Sequence, residues 1–596
     1  MCGFTGTISL QQIDNEKIKI ANKLIECRGP DHTSSVQKLV GKKYFNLWFN
    51  RLAIIDLDEK ANQPMYSDKF KTTILFNGEI YNHQALRKEL IKKGISFKTS
   101  HSDTETLLMG ISFFGLSFIE KVRGQFAIAF LDELNNKFYL IRDRLGQKPL
   151  YLNFNNKRVD FGSNLISLLK VSDNTSLDEQ EIYNYISYGI NNSPKTLFKS
   201  IAKVKPGEIV SIDLGENQFS ISQFNYWNIE DYQDEKNFDE EEFFEIFSES
   251  VNLRVEADVQ VSNFLSGGID STSVVKNMLD KGHDVNSFSV YIDNPKYDES
   301  EYIKQVVKKY DLNHEYVEIN SEISNKDVFE SLDCLDEPYY DPSVIPSYLL
   351  SREISKKYKV AISGDGGDEL LGGYQRTIFS LNKSSLFKNL FSKLYFLYPA
   401  VLGTGNKLLL NSNNLEKRFR SFLEDQKLLN IFGLKADQHN YASHLSFNNT
   451  NIYKSLLIAD YKFYLPEMMM FKIDRTSMAN SLEIRSPFVD NKLIEYVMST
   501  STNYIDIEKP KKLLKNYLIE DFNDKFLNRR KQGFVFDVEE WVYTNLDLIS
   551  DTISSGNVVN NLDKNIISKL KINKSRINGQ RIWKLFVLEN YLQRNN

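Results

Sequence analysis

Cys2 places a thiol one residue from the start of the chain. If Met1 is removed, that residue carries a free α-amine of pKa about 7.7–8.0 beside a thiol of pKa about 8.5. The amine is then close enough to act as the thiol's base at neutral pH. Such a residue suits attack on an amide, and other segments supply the remaining parts. Arg51, in FNRLAIID, offers a planar fork for a carboxylate. Asn77, Gly78 and Glu79, in FNGEIYNH, put a side-chain amide donor and a permissive backbone N–H together, a candidate oxyanion hole. Asp103, in HSDTE, could receive an ammonium group, and RGPD at 28–31 supplies a fixed turn. Each also has a plain structural reading: a surface ion pair for Arg51, a hairpin turn at Asn77 and Gly78, an N-cap at Asp103.

A second group lies in the middle of the chain. A strand expected over 259–265 runs into Ser266, Gly267, Gly268, Ile269, Asp270 and Ser271, and then into a helix to about residue 279. Small residues at a strand-to-helix turn present backbone N–H groups at a helix N-terminus, where an anion such as phosphate is favoured. No Lys follows the glycines, so this is not a G-x-x-x-x-G-K-[ST] loop. KVAISGDGGDELLGGY likewise follows a strand, expected over 360–362, and brings Asp365, Asp368 and Glu369 into a flexible loop. Asp270 and Asp368 offer hard oxygens to Mg2+, which keeps several waters and bridges phosphates. The plain alternative is a pair of tight turns.

The elements needed to hold these groups divide the chain. Short strands expected over 3–10, 44–56, 72–76, 126–131, 138–142 and 208–213, with helices over 84–93 and 104–114, predict a stacked α+β domain over 1–214. Residues 215–240 are polar and acidic and read as a linker, followed by a helix over 241–255. Beyond it, β-branched strands at 259–265, 285–290 and 360–362 alternate with helices. That order predicts an α/β parallel sheet over 241–596 whose ligands gather beyond the carboxyl ends of its strands. Residues 375–450 are helical in pattern, rich in Lys, Leu and Asn, and carry no readable motif. Residues 394–402, broken by Pro399, read as a buried helical segment, and Met468, Met469 and Met470 read as core packing.

The chain has 596 residues, 41% hydrophobic and 26% charged, which is too long for one core. Lys and Arg total 74 against 79 Asp and Glu, a net charge of −5, so neither a nucleic-acid footprint nor a polybasic membrane patch is expected. Cys2, Cys27 and Cys334 fit neither a disulfide framework nor a zinc site. No signal peptide and no apolar run of about 20 residues is evident, and a cytoplasmic protein acting on small molecules is the expectation.

MCGFTG, RGPD, RLAIID, NGEIYNH, SDTE and RDRLGQKPLY resemble, in this order, the class II glutamine amidotransferase domain, an N-terminal-nucleophile hydrolase of αββα sandwich fold. SGGIDS resembles the pyrophosphate-binding loop of the ATP pyrophosphatases, which splits ATP between its α and β phosphates. YLPEMMMFKIDRTSMANSLEIRSPFVD, KPKKLLK and NRRKQGF complete the order of the glutamine-hydrolysing asparagine synthetases. The resemblance implies that Cys2 attacks glutamine while Asn77 and Gly78 hold the oxyanion, and that Arg51, Glu79 and Asp103 belong to the glutamine site. Ammonia then crosses to a second centre, where ATP adenylates aspartate. Leu265, Ser266, Gly267, Gly268, Asp270, Ser271, Val290, Ser363, Gly364 and Lys511 would bind ATP. Asp270 and Asp368 would hold Mg2+, and Asp365 and Lys531 would serve the chemistry. A homodimer is implied. The chain departs from the family at Phe49, at Cys27 (where HRGPD has His), at Lys515 (where Arg is frequent) and at Asp365, where Glu is common. A carboxylate shorter by one methylene reaches about 1.5 Å less. This leaves open a different acceptor, such as a sugar or peptide carboxylate, and, from another class, a catalytically silent binding protein.

Overall fold

The computed structural model describes residues 2–173, 175–232, 236–292, 299–319, 323–381, 392–434, 451–502, 510–529 and 536–595. Its first part holds two six-stranded sheets. One runs in the order Ile201–Lys203, Tyr151–Asn155, Arg158–Gly162, Gly3–Ser9, Lys43–Arg51, His32–Val40. The other runs Phe219–Asn225, Glu208–Leu214, Lys137–Arg142, Gly124–Asp132, Thr72–Ile80, Met65–Ser67. Phe4, Leu47, Phe49 and Phe161 of the first sheet meet Leu75, Ala129, Leu140 and Val210 of the second in a shared core. The helix Asn15–Lys23 packs Ile18 and Ala21 beside Tyr44 and Trp48 on one outer face. On the other, His83–Lys92 and Asp103–Phe114 bury Leu86, Leu90, Leu107 and Leu108 against Ile74, Phe76 and Ile128. This is the αββα sandwich. Covered on both faces, its central strands run apolar throughout: FAIAFL is buried from end to end.

Several expectations need correction. The presumed linker 215–240 is not one throughout, because Phe219–Asn225 pairs antiparallel with Glu208–Leu214 as the edge of the second sheet. Its alternating polar residues are those of an exposed edge strand. Asn77 and Gly78 lie within the strand Thr72–Ile80, opposite Ala127 and Phe126, and make no hairpin. Ser102, not Asp103, caps the helix, its hydroxyl accepting from the Glu105 N–H. Residues 394–402 do form two short turns around Pro399, but only Tyr395 is buried: Phe396 is 80% and Leu397 78% exposed. Met468 and Met470 are buried, as core packing requires.

The second part is built on a five-stranded sheet in the order Asn313–Ile319, Asn286–Ile292, Val261–Phe264, Val360–Ile362, Glu483–Arg485, parallel throughout. The chain starts in the middle, builds outward on one side, then returns to build the other. Val261–Phe264 and Val360–Ile362 therefore flank the point where strand order reverses, and the loops leaving their carboxyl ends share one crevice. Among the described residues, no helix is long and apolar enough to cross a membrane.

Two candidate active sites and the seam between them

Cys2 stands at the head of the strand Gly3–Ser9, which is held between Lys43–Arg51 and Arg158–Gly162, so its position is fixed from both sides. It is 7% exposed. Burial pushes its thiol upward in pKa, while the Leu52 N–H and the Arg51 charge pull it back. The Cys2 N–H donates to Asn77 Oδ1 at 3.1 Å. That bond leaves Asn77 Nδ2, fully buried, with no hydrogen-bond partner. A buried donor without an acceptor costs about 1–3 kcal/mol, and this one is available to an oxyanion. Gly78 follows with φ at +155°, and a Cβ there would lie 2.0 Å from the Gln125 carbonyl oxygen, so the strand admits only glycine.

Arg51 ends its strand with Nη1 on the Asp58 carbonyl (3.0 Å) and Asn62 Oδ1 (2.8 Å), and Nη2 on the Asp56 carbonyl. Neutral oxygens orient the guanidinium without spending its charge on a carboxylate. Asp103 accepts from the Ile80 N–H (3.2 Å) and the Thr104 N–H (2.7 Å), which ties it to the strand that carries Asn77. Burial lifts its pKa to about 6, aided by Glu483. Glu79 is engaged elsewhere, on Arg485 Nη2 at 3.2 Å, and burial with Asp103 nearby holds its pKa well above the ordinary range. Phe49 fills the sandwich core and Cys27 is exposed.

The RGPD turn joins this site to the second part of the chain. Gly29 is needed because a Cβ would fall 2.3 Å from the Asn50 carbonyl oxygen. Arg28 Nε donates to the Cys2 carbonyl (3.2 Å), and both terminal nitrogens grip Asp474 at 2.8 and 3.0 Å. Although burial alone would raise Asp474, Arg28 and Lys148 hold it well below the usual carboxylate range. From there polar contacts continue through buried side chains. Arg475 donates to Asp336 (2.7 Å) and to Tyr151 Oη (2.6 Å), and Tyr151 donates to Glu337 (2.7 Å). Lys203 bridges Glu337 (3.0 Å) and Glu467 (2.9 Å). Burial raises Glu337 to a pKa of about 7. A void of about 10 Å3, room for one water, lies among Arg142, Tyr151, Lys203, Glu337, Glu467 and Arg475. Sequence reasoning passed over these residues individually. Their signal is charge inside an apolar context, as in MMMFKIDRTSM, where Lys472, Asp474 and Arg475 are all buried.

At the second site, Gly267 adopts φ +65°, and a Cβ there would lie 3.0 Å from the Ile303 nitrogen. Gly268 heads the helix Ile269–Asp280 without a side-chain cap, leaving that N-terminus to a ligand. Ser266 and Ser271 hold the loop, their hydroxyls 3.1 Å apart. The neighbouring loop packs directly on it: a Cβ on Gly364 would meet the Ser271 nitrogen at 2.6 Å, and one on Gly367 would meet Asp270 Oδ1 at 2.7 Å. Leu265 donates its N–H to the Phe288 carbonyl, Val290 lies in the adjacent strand, and the Ser363 N–H donates to the Arg485 carbonyl. Asp365 is half-buried and makes no side-chain hydrogen bond among the described residues. Lys515 is turned to Asn528 at the surface, and Lys531 lies outside the described residues.

Lys511 stands between the two acidic loops, its ammonium 2.6 Å from Asp270 Oδ1 and 2.6 Å from Asp368 Oδ1. Its backbone is left-handed at φ +59°. Among the described residues, no three His, Cys, Asp or Glu side chains form a metal-binding group. Two carboxylates converging on one cation nevertheless fit Mg2+, which takes most of its ligands from water and phosphate.

Residues 242–593 match the family model described as asparagine synthase, and residues 1–227 match a glutamine amidotransferase domain. A glutamine-hydrolysing asparagine synthetase of Bacillus subtilis is 30% identical over 574 residues, covering 91% of this chain and 88% of its own. A second from the same organism is 27% identical over 588 residues, covering 91% and 90%. A putative one of Methanocaldococcus jannaschii is 32% identical over 404 residues, covering 63% and 76%.

Proposed function

The chain belongs to the asparagine synthase family, and on that premise we propose that it converts aspartate, ATP and glutamine into asparagine, AMP, pyrophosphate and glutamate. Cys2, freed of Met1, attacks the glutamine side-chain amide, its own α-amine taking the thiol proton. The oxyanion falls to Asn77 Nδ2 and the Gly78 N–H. Arg51 takes the α-carboxylate and Asp103 the α-ammonium. Ammonia leaves, and water then cleaves the thioester to glutamate.

In the other half, Ser266, Gly267, Gly268 and Ser271 cradle the ATP phosphates, and Leu265, Val290, Ser363 and Gly364 surround the adenosine. Asp270 and Asp368 would hold Mg2+, which when bound offsets phosphate charge. The aspartate β-carboxylate attacks the α-phosphorus and pyrophosphate departs toward Lys511 and Lys531. Ammonia then displaces AMP, with Asp365 taking a proton from the incoming nitrogen. The water-sized void in the buried seam suits passage of ammonia.

The observation that carries this reading is Asn77, whose amide is fixed by the nucleophile's own nitrogen with its donor end unmatched. Cys2→Ala is expected to abolish glutamine-dependent product while ammonium chloride still supports synthesis. Product formed from glutamine by that variant would remove the nucleophile assignment. Asp365 supports a second reading, amidation of another carboxylate: pyrophosphate released with a different acid and none with aspartate would favour it.

A further inference from the structure

Two segments distant in sequence, 393–409 and 570–581, meet on the surface of the second part. Asn578 Nδ2 donates to the Val401 carbonyl at 3.0 Å, and Arg581 Nη1 donates to the Ala400 carbonyl at 2.7 Å. Ile577 closes on the same turn, since a Cβ on Gly403 would lie 3.3 Å from its Cδ1. Tyr395 is buried beneath, with Lys427 Nζ 4.6 Å from the centre of its ring. The backbone is thus fixed, yet the apolar side chains it carries face water. Phe396 and Leu397 are almost fully exposed, Leu402 is 51% exposed, and Ile572, in the turn before the helix Arg576–Asn595, is 84% exposed. Single apolar residues on a surface need no explanation, but a cluster on one fixed platform marks a face that meets something else.

Charge says what it meets. Lys393 and Lys407 bracket the first segment, and Lys571, Lys574 and Arg576 flank Ile572 and Ile577 in the second; all five are exposed. Neither segment contains Asp or Glu. The acids packed behind are matched, Asp425 by Arg581 at 2.6 and 2.8 Å and Glu424 by Arg420 at 2.9 Å. This cationic rim stands against a net charge of −5 for the whole chain, so overall composition hides it. A second copy seated face to face would bring like charges together. An anionic bilayer meets both features at once: apolar tips sink to the acyl boundary while Lys and Arg stay among the phosphates. Among the described residues no helix is long and apolar enough to span a membrane, so the contact is one of surfaces.

We infer that the face built from 393–409 and 570–581 docks this protein reversibly onto an anionic lipid surface, with Phe396, Leu397, Leu402 and Ile572 entering the interface and the five cations held by lipid phosphates. Each Lys or Arg at such a surface is worth about five-fold in binding, an effect that salt screens. The inference is independent of which acid the synthetase half amidates.

Flotation of the full chain with lipid vesicles tests it. Vesicles of phosphatidylcholine and phosphatidylglycerol in equal parts are expected to carry the protein upward, at least 10-fold more tightly than phosphatidylcholine alone, and binding is expected to weaken as salt rises from about 0.1 M to about 1 M. Phe396→Ser with Leu397→Ser removes apolar tips that the fold does not bury, and is expected to weaken binding at least 10-fold. Lys571→Glu with Lys574→Glu is expected to do the same for anionic vesicles only. Glutamate release and pyrophosphate release in solution should be unchanged in both double variants, which shows that they fold. Equal binding to the two vesicle types, binding to neither, or binding retained by either double variant overturns the inference. So does a doubling of mass by light scattering that Phe396→Ser with Leu397→Ser abolishes, because the face then belongs to a second copy.

Discussion

On the proposed reading Asn77 does two jobs with one amide, and one substitution removes both. Asn77→Ala removes the oxyanion donor and the acceptor for the Cys2 N–H, so glutaminase kcat is expected to fall about 100- to 1000-fold. Glutamine KM, which the proposed function assigns to Arg51 and Asp103, should change little, and stopped-time glutamate release checks both. Asp103 must be ionised to hold an ammonium, and its pKa lies near 6. Glutamine kcat/KM is therefore expected to fall as pH drops through about 6, while ammonia-dependent synthesis follows a different profile. Lys511 gives a third residue-level expectation. Its ammonium satisfies both acidic loops, so the free protein should bind Mn2+ weakly by electron paramagnetic resonance, and Lys511→Met should bind it at least 10-fold more tightly without nucleotide. Equal binding would show that the carboxylates do not compete for the lysine.

At the scale of elements, the sequence was most legible where a segment's chemistry is local. FAIAFL reads as a buried strand, and SGGIDS between strand and helix reads as an anion loop, because backbone geometry alone dictates both. It was least legible where a neighbour decides. Glu483–Arg485 is a three-residue strand made by pairing with Val360–Ile362, and nothing within EIR announces it. The edge strand Phe219–Asn225 looks like a linker until Glu208–Leu214 lies beside it. Glu79 reads as a ligand for glutamine, yet Arg485 reaches it from a segment distant in sequence. The Arg28 and Asp474 pair, bidentate and buried, is another such long-range tie. Asp474→Asn leaves a buried guanidinium without its counter-charge and is expected to destabilise the chain by about 3–5 kcal/mol in chemical denaturation. The sign with pH follows from the depressed folded-state pKa of Asp474. Its contribution is complete above the unfolded value of about 3.9 and is lost as pH falls below it. The stability gap between wild type and variant should thus be constant from about pH 5 to 8 and shrink under acid.

Across the whole molecule, the two candidate centres belong to unlike architectures, an antiparallel sandwich and a parallel sheet, and a buried polar seam runs from Cys2 of the first part as far as Glu467 of the second. That seam is what motif reading could not supply, since each member is an ordinary charged residue until the two halves close on it. The carbonyl of Cys2 is fastened by Arg28, and Arg28 by Asp474. A ribosome makes the first two early and the third only when most of the chain has emerged. On the proposed function, glutamine splitting is therefore expected to begin late in synthesis, once the synthetase part is being assembled, so that nascent chains spill little nitrogen.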